Sequence, residues 1–235
     1  YEIIKCDWRF RRVLFRSMSK INTAVYRMTH IENIPHILEF GITQKSSINS
    51  NPNFVKVGDL SLIDNRDNKI VTVDNGDFLN LNSKSIKLGD FIPFYFGIKM
   101  PMLYIMQIGG NFVEKATKPE DIIYLVCSID KIIEADLDFY FSDGHGTNNY
   151  TSFYEKSEID RLNEIIDWSS IKAQYWAGNE NLNVKRKKQA EFLVSDDLDA
   201  NLIIGFGCYN EIAKNRLLAM GVEESKIKVI PNGYF

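Results

Sequence analysis

From residue 18 onward the apolar segments of this chain are short and unequally spaced, and no strand–helix unit repeats along it. A doubly wound parallel sheet needs such a repeat, so the order of elements predicts a single α+β domain. Residues 24–29 read as a strand and 34–40 as a helix, with Asn33 as its cap, Pro35 tolerated in its first turn and Gly41 at its end. Ile122-Ile-Tyr-Leu-Val-Cys-Ser-Ile has the continuous apolar character of a buried strand, and Gln189-Ala-Glu-Phe-Leu-Val reads as another. A strand at 202–206, a helix at 211–220 stopped by Gly221 and a strand at 227–230 complete the pattern. Helical spacing also falls at 159–169 and around 173–176. Phe91-Ile-Pro-Phe-Tyr-Phe-Gly and Pro101-Met-Leu-Tyr-Ile-Met fit either a strand or a short helix, and Pro93 and Pro101 argue against uninterrupted central strands.

Two polar stretches separate these elements. Residues 43–90, rich in Asn, Asp, Ser, Lys and Gly, predict a long loop region with local turns. Residues 136–154, containing Ser142-Asp-Gly-His-Gly-Thr-Asn-Asn-Tyr, read as an active-site loop. Residues 1–17 mix bulky aromatics with arginines and show no cap, turn or helical period. They resemble translated sequencing-adapter text and are expected to be non-native, with the gene beginning at Met18 and one domain spanning 18–235. A genuine basic arm is the alternative.

At 235 residues and 45% hydrophobic, the chain can bury one large core. Its 28 basic against 31 acidic residues give a net charge of −3, and leaving out residues 1–17 leaves 23 against 29, or −6. That balance excludes a protein that coats DNA through a basic surface. It does not exclude a brief encounter of one short strand with a local patch such as Lys185-Arg-Lys-Lys. Cys6, Cys127 and Cys208 are odd in number and widely spaced, so neither a disulfide framework nor a paired-cysteine metal site is available, and the last two are expected in the core. His30, His36 and His145 lack zinc-ligand spacing, and no metal is expected. The phosphate-binding Gly-x-x-x-x-Gly-Lys-Ser/Thr loop is absent, and Gly205-Phe-Gly reads as a turn. No apolar run approaches the roughly 20 residues of a membrane helix, so a cytoplasmic protein without a membrane partner is expected.

Glu191 lies between Ala190 and Phe192 in an apolar strand. A carboxylate there must be paired, placed at an edge or functional, because burying it alone is costly. The period-2 alternation equally allows it to face solvent. Arg66, between two acids in a polar stretch, reads by itself as a solvated charge, and His30 beside Asn33 as helix-start chemistry.

Six blocks change that weighting: Tyr26-Arg-Met-Thr-His-Ile-Glu-Asn-Ile, Gly58-Asp-Leu-Ser-Leu-Ile-Asp-Asn-Arg, Asp90-Phe-Ile-Pro-Phe-Tyr-Phe-Gly with Pro101-Met-Leu-Tyr, Phe141-Ser-Asp-Gly-His, Lys188-Gln-Ala-Glu-Phe-Leu-Val and Pro231-Asn-Gly-Tyr-Phe. Together and in this order they resemble the DarT family of DNA ADP-ribosyltransferase toxins. The resemblance implies an ADP-ribosyltransferase-like fold, two small sheets flanking an NAD cleft with surrounding helices. It implies transfer of ADP-ribose from NAD to a nucleobase of single-stranded DNA, and a cognate antitoxin with ADP-ribosyl-hydrolase activity. Under it, Glu191 matches the catalytic glutamate and Arg66 aligns with an arginine that binds NAD phosphate and assists catalysis. Met28, Thr29, His30 and Asn33 fall in the NAD-binding block, where His30 would grip ribose hydroxyls. Tyr95, His145, Tyr150, Lys185 and Arg186 are the expected DNA contacts. Of Tyr150, Phe153, Tyr154, Trp168, Tyr175 and Trp176, two or three are expected to touch the strand.

The chain departs from the family pattern at Arg27, where members often carry histidine, and at Lys99-Met-Pro-Met-Leu-Tyr, where they often carry Arg-Ser-Pro-Met-Leu-Tyr. The target base is therefore open between guanine and thymine. The Ser142-Asp-Gly-His block and Gly109-Gly-Asn-Phe-Val look more like the guanine-modifying branch. A protein or RNA acceptor, or a non-catalytic single-strand-binding domain, are the alternatives.

Overall fold

Ten strands hydrogen-bond side by side in the computed structural model, which describes residues 21–58, 60–74, 83–109, 113 and 116–235. Residues 1–17, Cys6, Asp59 and Gly110-Asn-Phe of the glycine block lie outside the described residues, as do the side chains at 60, 62 and 63. The strands are β1 (Ala24–His30), β2 (Ile70–Asp74), β3 (Lys84–Lys87), β4 (Ile92–Tyr95), β5 (Ile122–Ser128), β6 (Phe139–Ser142), β7 (Phe153–Glu155), β8 (Glu191–Val194), β9 (Ile203–Cys208) and β10 (Ile227–Val229). They run in the order β10-β9-β5-β1-β4-β8-β6-β7-β2-β3. Around them lie α1 (Ile34–Phe40), α2 (Leu60–Asn68), α3 (Pro101–Ile108), α4 (Ile129–Glu134), α5 (Leu162–Ile165), α6 (Trp168–Lys172), α7 (Leu182–Lys188) and α8 (Glu211–Ala219). The α+β class is as predicted.

The two expected sheets are joined into one ladder, but the join is thin. β1 pairs with β5 over seven residue pairs, whereas its register with β4 is the single pair Tyr26–Tyr95. Beyond that pair the two halves part, and the Arg27 Nη1 reaches across to the Pro93 carbonyl at 2.9 Å. Within a strand, a residue's N–H and C=O point to the same neighbour. The N–H that Pro93 lacks would thus face the gap, so this proline sits in a central strand without breaking a rung, contrary to the expectation from composition.

Other differences have local causes. The stretch 43–90 is not one loop but carries α2, β2 and β3. In the two strands only Val73 and Ile86 are buried, since β3 is the sheet edge, and so few inward positions leave no legible alternation. Pro101-Met-Leu-Tyr-Ile-Met is helical, with proline in the first turn. Helix 159–169 is broken into α5 and α6 by Asp167, which accepts from Ser170 N at 3.0 Å and from Lys187 Nζ at 2.9 Å. Residues 173–176 are not helical; α6 stops at Lys172, and the buried Lys188 takes the Ile171 carbonyl at 2.8 Å. Gly205-Phe-Gly is part of β9 rather than a turn, with Gly205 and Gly207 opposite Val126 and Tyr124 and with Phe206 buried.

The largest apolar cluster lies on one face, where Phe139 stacks on Phe192 at 4.6 Å and Phe96 meets the same ring edge-on. A second cluster seats Leu103 and Met106 of α3 against Met28, Ile122 and Tyr124. Tyr234 locks it, its hydroxyl placed 2.8 Å from the Ile122 carbonyl and 3.2 Å from that of Gly207. Cys127 and Cys208 are buried free thiols, and burial pushes Cys127 up to about 12. No described helix is long and apolar enough to cross a membrane.

Candidate active site

The gap between β1 and β4 opens into a cavity of about 210 Å³ whose wall includes Arg27, Met28, Arg66, Tyr95, His145 and Glu191. A second recess of about 210 Å³ adjoins it and holds Thr29, Asn33 and His36. The two share Arg27, Thr43, Gln44, Lys45 and Phe54, so they form one two-lobed groove with Arg27 at its waist. Asn33 does not cap α1. Its side chain bonds Thr29 Oγ1 at 3.1 Å and both backbone groups of Val55 at 2.9 Å, pinning the polar 43–58 segment over the groove.

Glu191 is the first residue of β8, paired with Tyr95 across the ladder, and is 1% exposed. Its alternation therefore points inward. Its Oε2 accepts from Arg66 Nη1 at 2.6 Å and its Oε1 from the Gly146 amide at 2.9 Å. The Glu191 N–H donates to Ser142 Oγ at 3.1 Å, and that hydroxyl donates to the Gly144 carbonyl at 2.7 Å. A Cβ on Gly146 would stand 3.0 Å from Arg66 Nη1 and from both Glu191 oxygens, a tight contact that glycine avoids where the amide meets the carboxylate. Both carboxylate oxygens are thus held by donors, the condition under which a buried charge is tolerated.

Arg66, expected in a loop, is carried into the groove by α2. Its Nη2 is buried and has no hydrogen-bond partner among the described residues, an unmatched donor that a phosphate or ribose oxygen would satisfy. Among the described residues Arg27 has no carboxylate partner; burial and then the neighbouring Arg66 pull it down to about 10, so it stays charged at neutral pH. The lining sets Arg27, Lys45, Lys56 and Arg66 against Asp67 and Glu191, a balance that suits an anionic ligand. His145 has Nδ1 2.8 Å from Thr147 Oγ1, and burial, opposed by the charge of Glu191, lowers its pKa and holds the ring neutral. Tyr95 is raised by burial and by Glu191.

The structure brings Glu191, Arg66, Met28, Tyr95 and His145 together around one lobe and Thr29 and Asn33 around the other. His30 lines neither recess; at the end of β1 its Nδ1 turns back to accept from Glu32 N at 3.2 Å, the helix-start role open to it from its place beside Asn33. Tyr150 stands on the loop tip, 87% exposed, and Lys185 lies over the Trp176 ring at 5.5 Å. Arg186 is turned inward onto Asp143 and does not face outward as an expected DNA contact would. Arg27, Ser142 and Phe54 join the expected site residues: Arg27 and Phe54 line the groove, and Ser142 holds the Glu191 backbone. Among the described residues no cluster of His, Cys, Asp and Glu could hold a metal ion.

A family model described as "ssDNA thymidine ADP-ribosyltransferase, DarT" matches residues 26–235. A DNA ADP-ribosyl transferase of Thermus aquaticus is 32% identical over 191 residues, 80% of this chain and 75% of that protein. A DNA ADP-ribosyl transferase–DNA ADP-ribosyl glycohydrolase fusion protein of Thermosipho africanus is 32% identical over 213 residues, 90% of this chain and 48% of the fusion. Among solved structures, Thermus sp. 2.9 DarT in complex with ADP-ribosylated ssDNA superposes with a TM-score of 0.74 at 25% identity, covering 92% of this chain and 100% of that one. The same protein in complex with NAD+ gives 0.70 at 26%, covering 92% and 98%.

Proposed function

This chain belongs to the DarT family, and on that premise we propose that it transfers ADP-ribose from NAD to a nucleobase of single-stranded DNA, releasing nicotinamide. The observation that carries this reading is Glu191, buried in a groove and held at both oxygens by Arg66 and the Gly146 amide. NAD supplies the ribose carbon whose bond to nicotinamide breaks. Glu191 offers a fixed negative charge to the positive charge that develops at that carbon, and the donors on its oxygens keep it from turning away. The unmatched Nη2 of Arg66 and the guanidinium of Arg27 face phosphate or ribose oxygens of the donor. His145, neutral and with Nδ1 engaged by Thr147, presents its other ring nitrogen to the incoming base.

In a duplex the pairing-edge nitrogens of a base are stacked inside and hydrogen-bonded to its partner, so a single strand avoids the unpairing cost of reaching them. Lys185, which lies over Trp176, and the exposed Tyr150 would provide the charge and the stacking face for it. The Ser142-Asp-Gly-His block favours guanine as the acceptor, while the family description names thymidine. An ADP-ribosyl hydrolase as antitoxin follows from the fused glycohydrolase of the Thermosipho relative, and use of NAD and DNA suits the cytoplasm. Incubation with NAD and oligonucleotides containing a single thymine or a single guanine should add one ADP-ribose mass and release nicotinamide. Modification of protein or RNA but not DNA, or NAD binding without nicotinamide release, would reject the proposal.

A further inference from the structure

Arg186 belongs to a basic run on α7, yet its side chain is only 9% exposed and its guanidinium is committed to the protein. Nη1 donates to Asp143 Oδ1 at 2.9 Å and Nη2 to Asp143 Oδ2 at 3.2 Å, a two-pronged pair, while Nε donates to Asn183 Oδ1 at 3.2 Å. Asp143 is the first residue after β6, and its Oδ1 also accepts from Ser152 N, closing the base of the loop that leads to β7. The same loop is tied to α7 by its backbone, His145 N donating to the Arg186 carbonyl at 3.0 Å, and Thr151 Oγ1 donates to the His145 carbonyl at 2.8 Å. A Cβ on Gly144 would collide with Arg186 Nη1, so the loop lies as close to the guanidinium as backbone can. One residue beyond His145 is Gly146, whose amide holds Glu191, and five residues beyond Arg186 is Glu191 itself.

We propose that Asp143 and Arg186 are positioning residues for the transfer reaction, their ion pair holding the 143–152 loop so that the Gly146 amide keeps Glu191 in its working orientation. This rests on the function proposed above. Neighbours on one helix then have separate tasks: Lys185 lies over the Trp176 ring, and Arg186 braces the loop from within. The brace acts through geometry, since small misplacements of a reacting group are costly in rate.

The test compares wild type, Arg186→Gln, Asp143→Asn, the double variant and Arg186→Lys in steady-state nicotinamide release with NAD and single-stranded DNA, beside melting temperature. Expected is a fall in kcat of about 10- to 100-fold in both single variants, with KM for NAD and for DNA unchanged. The double variant should be no slower than the slower single, because each breaks the same link. Arg186→Lys keeps the cation but not the two prongs; it should fall between, and it stands in if Arg186→Gln does not fold. A raised KM for DNA at unchanged kcat would make Arg186 a DNA contact and overturn the proposal. So would unchanged kinetics, or activity lost only in proportion to the folded fraction. Amide exchange reads the brace without activity: the segment carrying Gly146 should lose protection in Asp143→Asn, and unchanged protection overturns the brace. A wild type that releases no nicotinamide rejects the proposed function instead.

Discussion

Glu191→Gln keeps the shape of the side chain and removes its charge, so it separates the electrostatic role of the carboxylate from its structural one. Deleting one charge of a buried pair costs about 3–5 kcal/mol when the partner is left dry. Here two features reduce the cost. Glutamine retains an oxygen to accept from Gly146 or Arg66, and Arg66 keeps 15% of its side-chain surface open to the groove, where water reaches it. The expected destabilisation is about 1–2 kcal/mol, a fall in Tm of about 2–8 °C for a domain this size. With a native stability of about 5 kcal/mol or more, about 99% of the variant remains folded at 25 °C. The chemical step loses far more, because a full charge is removed beside developing positive charge: about 100- to 1,000-fold in kcat, roughly 3–4 kcal/mol of barrier. Nicotinamide release at saturating NAD and DNA, with scanning fluorimetry on the same samples, measures both. A rate within tenfold of wild type would refute the electrostatic argument, and a Tm fall beyond about 10 °C with activity tracking the folded fraction would make the carboxylate structural.

Arg27→Gln removes the cation at the waist of the groove and should weaken NAD binding about tenfold, or about 1.4 kcal/mol, in calorimetry, while nicotinamide riboside, which lacks the pyrophosphate, binds as before; equal loss for both ligands refutes a phosphate contact. Because burial holds His145 below its ordinary pKa of about 6.5, the unfolded chain takes up a proton that the folded chain refuses, so stability is complete above about pH 6.5 and is lost as pH falls below it. His30, lowered mainly by burial, adds the same sign, and His145→Gln should flatten but not abolish the slope of Tm between pH 5 and 7; an unchanged slope refutes the assignment. Tyr234→Phe leaves the Ile122 and Gly207 carbonyls without their hydroxyl and should cost about 1–3 kcal/mol in urea unfolding with kcat unchanged; a loss of rate instead would tie that cluster to the site.

β5, β8 and β9 are legible in the sequence because they carry runs of buried residues, and α1 because Pro35 and Gly41 bound it; β6 is buried throughout, but its four residues sit inside the polar stretch 136–154, which reads as a loop. β2 and β3 escaped because one buried residue each leaves no period to read. Glu191 was legible as an anomaly, a carboxylate in apolar surroundings, but its direction was not, since alternation has two phases. Arg66 was invisible to local patterning because its partner lies 125 residues away. The same distance problem misled the reading of Arg186. A run of four basic residues on one helix looks like a cationic face until Asp143, 43 residues earlier, claims one of them.

The single rung between β1 and β4 gives the molecule a form of modularity. Beside that rung Arg27 reaches from one half-sheet to the Pro93 carbonyl of the other, and the same residue lines both lobes of the groove. Exchanging that side chain would alter the charge of the groove while the seven residue pairs between β1 and β5 stay in place.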